Sequence, residues 1–133
     1  MARQLQAQRV MHPENELLGL PEWIRQLESL SSLARGWDGY QAEPPNAMAL
    51  RNGRRLLEAL SGMNVLPERV VPSADGGVAL VLSTRPTYRA LECFNDGEIV
   101  ASLSDRVHRH EAWETGLGPG ELRVTLERLG ALP

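Results

Sequence analysis

Residues 69–104 read RVVPSADGGVALVLSTRPTYRALECFNDGEIVASLS, and this stretch decides the fold. Val78 to Ser83 (VALVLS) is a nearly continuous apolar run, as expected of a strand covered on both faces or in mid-sheet. Arg69 to Pro72 is a short strand before it, and Asp75-Gly76-Gly77 is the turn between them. Tyr88 to Phe94 and Glu98 to Leu103 flank Asn95-Asp96-Gly97, and an Asp-Gly step between two strands is a strong hairpin signal. With Asp96-Gly97 as a two-residue loop, Phe94 falls opposite Ile99 and Cys93 opposite Val100. Sequential strands joined by tight turns predict an antiparallel meander of about four strands.

Outward from the meander, the period changes from two to that of a helix. Pro21 in a first-turn position, followed by Trp23, Ile24, Leu27, Leu30 and Ala34, predicts an amphipathic helix over 21–34 that Gly36 stops. Asn46 is a candidate N-cap for a second helix running to about Ser61, with Leu50, Leu56, Leu57 and Leu60 near one face and Gly62 at its end. Gly53 inside that helix costs about 1 kcal/mol relative to alanine, and a glycine there is expected to mark close approach to another backbone. Residues 104–119 read mostly as loop. Glu121 to Leu129, with Leu122, Leu126 and Leu129, predicts a last helix ended by Gly130. Residues 1–16 are polar and read as a mobile tail. The expected architecture is α+β in one domain over 17–133: two helices, the meander, then a C-terminal helix, packed on one sheet face.

Composition narrows the function classes. The 133 residues are 42% apolar and 23% charged, which is the range of an ordinary folded domain. All 14 positive charges are arginine, a usage typical of GC-rich bacterial genomes. The net charge is −3 and the arginines are scattered, which argues against a basic nucleic-acid footprint. The single cysteine, Cys93, excludes an internal disulfide scaffold. The first ten residues have no apolar core of signal-peptide type, and no stretch is long and apolar enough to span a bilayer. A cytoplasmic protein is expected.

The most distinctive segment is Gly36-Trp37-Asp38-Gly39-Tyr40. Its two glycines permit positive φ, and Asp38 can bond its own turn. One reading is a rigid corner whose Trp37 and Tyr40 plug the core; the other is a ligand-facing loop with Asp38 and Tyr40 as polar contacts. Gly36-Trp37-Asp38-Gly39-Tyr40, Ala42 and Pro44-Pro45, followed by Pro72-Ser73 and Asp75-Gly76-Gly77, resemble a pattern in small bacterial proteins found among genomes and mobile elements. The resemblance spans about residues 30–105 and implies one domain but no activity. Gln41 stands where glycine is usual in that pattern, which implies a stiffer corner.

His108, Arg109, His110, Glu111 and Glu114 are the one cluster with metal-ligand chemistry. His110 and Glu114 share a face in a helix, whereas His108 and His110 share one in a strand, and neither arrangement completes a zinc set. No nucleophile motif, phosphate-cradling loop or telling carboxylate pair is present, so no catalytic residue, metal or cofactor is expected. By elimination the sequence points to a non-catalytic protein-interaction module of bacterial or phage origin: an antitoxin, an immunity or anti-defence protein, or an accessory subunit. The alternative is a small enzyme whose site, shared between subunits, uses Asp38, Tyr40 and the His108/His110 segment. A homodimer is also expected, because Val78 to Ser83 is apolar on both faces and a meander leaves two edges.

Overall fold

The computed structural model describes residues 13–133. Helix α1 spans Pro13–Ser29 and runs on into a 3-10 turn at Leu30–Ser32; α2 spans Ala47–Gly62. Five strands follow, β1 (Arg69–Ser73), β2 (Gly77–Ser83), β3 (Tyr88–Phe94), β4 (Ile99–Ser104) and β5 (His110–Thr115), before α3 at Pro119–Leu129. The strands form one antiparallel sheet in sequence order, β1 to β5. The α+β meander is therefore as expected in kind, with one strand more.

The extra strand, β5, replaces part of the expected loop over 104–119. Its sequence HEAWET alternates, but only Trp113 among the helix-facing residues is apolar, so the pattern is too polar to read as a strand. Pairing supplies what the pattern lacks: Ala101 lies opposite Trp113 and Leu103 opposite Glu111. The β3–β4 hairpin differs from expectation by one residue, since Cys93 pairs with Ile99. Its loop holds three residues, Asn95-Asp96-Gly97, with Gly97 at φ +97. Phe94 N–H donates to Glu98 O at 2.8 Å and Gly97 N–H to Phe94 O at 2.9 Å, the pattern of a type I turn closed by a glycine bulge. The shift keeps Cys93 and Ile99 together on the core face.

Helix α1 starts well before Pro21, which lies inside it, and ends at Ser29 rather than at Ala34. Residues 1–12 of the expected tail lie outside the described residues, and 13–16 are helical. The early stop has a local cause. The hydroxyls of Ser29, Ser31 and Ser32 each bond the carbonyl three residues back, at 2.6, 2.8 and 2.9 Å, drawing those carbonyls away from the helical ladder. Helix α2 is bounded as the sequence indicates, with Asn46 Oδ1 accepting from Ala49 N–H at 3.0 Å. Gly53 is buried at the α1–α2 contact, where an added Cβ would lie 3.1 Å from Leu27 Cδ1.

The core lies between one sheet face and the helices. Leu27, Leu56, Leu57 and Leu60 of the first two helices and Leu122, Leu126 and Leu129 of α3 pack with Val78, Leu80, Leu91, Cys93, Ala101 and Leu103 of the sheet. The opposite face presents Val71, Ala79, Glu92, Val100 and Glu114 in one row and Arg69, Val81, Ala90, Ser102 and Ala112 in the next. The main core cluster draws no residue from that face, although Ala79, Val81 and Ala90 are buried there.

Candidate functional site

The Gly36–Tyr40 corner is built by its own hydrogen bonds. Asp38 Oδ1 accepts from the N–H of Tyr40 at 2.9 Å and of Ala42 at 3.3 Å. Gly36 N–H donates to Ala42 O and Gly39 N–H to Gly36 O, both at 2.9 Å. Gly36 at φ +78 and Gly39 at φ +86 occupy the left-handed region that glycine tolerates best. Gln41 is not among the residues with positive φ, so its backbone has an ordinary conformation and no glycine is required there.

The carboxylate of Asp38 is thus turned inward on the backbone, and the aromatic rings go elsewhere than expected. Trp37 is half-buried, with Nε1 donating to Glu43 O at 3.3 Å, and stays outside the main core. Tyr40 is 82% exposed. What plugs the corner is small: Ala42 and Pro45 are buried beneath it.

Asn95 fastens this corner to the sheet. Its Oδ1 accepts from Asn46 N–H at 2.9 Å, its Nδ2 donates to Pro44 O at 3.1 Å, and its carbonyl accepts from Asn46 Nδ2 at 2.9 Å. Asn95 N–H in turn donates to Gly76 O at 2.9 Å, joining the two hairpin tips. From the sequence Asn95 reads only as a turn residue; bonds to partners some fifty positions away leave no local signal. Beside the clasp lies an open hollow of about 500 Å³ lined by Glu43, Asp75, Asp96 and Glu98. Glu98 is held above the ordinary carboxylate range by its hydrogen bond to Glu114 and by that group's charge. Glu43 is held by Arg35 at 2.8 Å, so the acidic excess at this end comes from Asp75, Asp96 and Glu98.

The histidines lie at the other end of the sheet. His110 pairs with Ser104, which pairs with Tyr88, whereas the corner is docked at the Phe94–Gly97 end of the same strands. Within one chain, Asp38 and Tyr40 are therefore not brought together with His108 and His110. Both histidines are exposed. The backbone N–H of His108 is taken up, with those of Val107 and Arg109, by Asp105 Oδ1 at 2.8–2.9 Å. Among the described residues no group of three or more His, Cys, Asp or Glu is placed to hold a metal ion. Glu111 is bound instead by Arg109 and by Arg128, whose guanidinium lies 3.7 Å from the centre of the Trp113 ring. Cys93 is buried, and its thiol is pushed up to about 12 by burial and by the charge of Glu92. No helix among the described residues is long and apolar enough to cross a membrane. Comparison with family models, with curated proteins and with solved structures finds no match to this chain.

Proposed function

We propose that the chain is a non-catalytic protein-interaction module, of bacterial or phage origin, and that the corner end of the sheet is its contact surface. One observation carries this reading: Tyr40 is 82% exposed on a loop whose Asp38 carboxylate is taken up by the loop's own backbone. Tyrosine is an efficient anchor for a partner, because it offers a large amphipathic surface with few rotors to freeze. The acidic hollow with Asp75, Asp96 and Glu98 in its lining favours a partner with a basic surface at that place. The reading is tested by affinity purification from the native host with the wild-type chain and Tyr40→Ala in parallel. The partner is expected to be retained by the wild type and lost by Tyr40→Ala, with the two proteins melting at the same temperature. Equal recovery on both would place the contact surface elsewhere.

A further inference from the structure

Strand β5 ends the sheet, and its outer edge carries the features of a self-complementary joint. Along an antiparallel ladder, pairs that exchange backbone hydrogen bonds alternate with pairs that do not. Asp105 N–H donates to Arg109 O at 3.1 Å, so that pair is of the bonded kind. Counting by twos along the register, Leu103–Glu111, Ala101–Trp113 and Ile99–Thr115 are bonded as well. The N–H and C=O groups of His110, Ala112 and Glu114 therefore point away from β4, along an edge that no other described strand covers.

We infer that a second copy of this chain pairs with that edge, β5 against β5, antiparallel about a two-fold axis at Ala112. In this register every outward N–H and C=O of the three residues meets a counterpart. Ala112 lies opposite itself, and His110 lies opposite the partner's Glu114. An imidazole N–H opposite a carboxylate is a donor–acceptor match whether or not the ring is charged. Sliding the register by two residues either way leaves one of the three edge residues without its counterpart and separates His110 from Glu114. The two-fold also sets the partner's His110 beside the Glu98–Glu114 pair, whose hydrogen bond and like charge raise the Glu98 carboxyl above its ordinary value.

The surroundings of the edge fit a second copy. His110, Ala112 and Glu114 are all exposed, whereas Ala90, in the same row as Ala112 two strands in, is fully buried. On the helix side, a groove of about 430 Å³ runs between β5 and α3, lined by Trp113, Gly120, Val124 and Thr125 among others. Val124 is 63% exposed there, one of few large apolar side chains left in solvent among the described residues. The joint does not include Tyr40, the residue that carries the contact surface proposed above, although at Glu114 it reaches Glu98 in the lining of the acidic hollow.

The test is sedimentation of the full chain at micromolar concentration, with three variants. The wild type is expected at twice the 14.7 kDa chain mass. Ala112→Asp, at an exposed position, sets like charges opposite each other and is expected to weaken association roughly tenfold or more while the circular dichroism spectrum is unchanged. His110→Glu is expected to weaken it similarly, and His110→Glu combined with Glu114→Arg to restore it. A monomeric wild type overturns the inference, as does a dimer indifferent to Ala112→Asp. A double variant no tighter than His110→Glu overturns the register. Loss of the partner on Tyr40→Ala with the dimer intact would leave this inference standing.

Discussion

Gly77 shows how a single residue type can be fixed by the backbone around it. It sits at φ +152, and a Cβ built there would lie 2.1 Å from Cys93 O, a distance no side chain tolerates. The obstacle is main chain at the Gly77–Phe94 end of the β2–β3 ladder, so nothing flexible can give way. Gly77→Ala is expected to cost about 3 kcal/mol or more, from unfavourable φ and displaced pairing together; urea denaturation measures it, and a loss below about 1 kcal/mol would sink the account. Cys93 is fixed by burial. With its folded value pushed up from 9.0 to about 12, the neutral thiol is favoured in the native state. Its contribution to stability is complete below pH 9.0, where neither state ionises, and is lost as pH rises from there towards about 12. Because the thiolate is the nucleophile, the folded protein is expected to resist thiol reagents at mildly alkaline pH and to react promptly in denaturant. Rapid labelling of the native chain would show that the thiol is reachable.

Elements were legible in proportion to how locally they are determined. Helix α2 follows from Asn46, the leucines and Gly62, all within one segment. The run Val78 to Ser83 is the central support it reads as: Leu80 is fully buried between Val70 and Leu91 on the helix face. Leu80→Asp places an unpartnered charge there and is expected to leave the chain unfolded at room temperature by circular dichroism. A melting point within a degree or two of wild type would contradict this core. By contrast β5 was hidden, because an edge strand needs little apolar surface of its own and is held by its neighbour. The β4–β5 loop adds a local lock: the N–H groups of Arg109, Val107 and His108 hold the Asp105 carboxyl below its ordinary 3.8. A lowered carboxylate stabilises the loop above pH 3.8 and ceases to do so as pH falls through the folded value. The amide resonances of residues 107–109 are therefore expected to shift together only below pH 3.8, and a common titration above it would refute the lock. The candidate site was legible as a corner whose Asp38 bonds its own turn, but not in the placing of its rings: sequence spacing does not distinguish a Tyr40 that plugs the core from one that stands in solvent.

At the scale of the whole molecule, the question is whether the corner, the sheet and the terminal helix form one cooperative unit. The core cluster joins them without a break: Leu27 from α1, Leu56, Leu57 and Leu60 from α2, and Leu122, Leu126 and Leu129 from α3 all pack with Leu80, Leu91 and Cys93. The corner is tied in separately through Asn95, which bonds Pro44, Asn46 and Gly76. The chain carries reporters in each region, with Trp23 on α1, Trp37 in the corner and Trp113 on β5. A single shared core implies that these regions lose structure together, since no part keeps its apolar face covered when the others leave. Three variants, each retaining one tryptophan and carrying phenylalanine at the other two positions, are expected to give urea midpoints that agree with one another and with far-ultraviolet circular dichroism of the same variant. The measurement belongs at low protein concentration and with Ala112→Asp in the background, because association by β5 would raise the apparent stability of every probe with concentration. An earlier transition at Trp113 alone would mean that β5 and α3 open as a unit of their own. An earlier one at Trp37 alone would mean that the Asn95 clasp releases the corner while the core persists, leaving Tyr40 on a loop that moves rather than on a fixed platform.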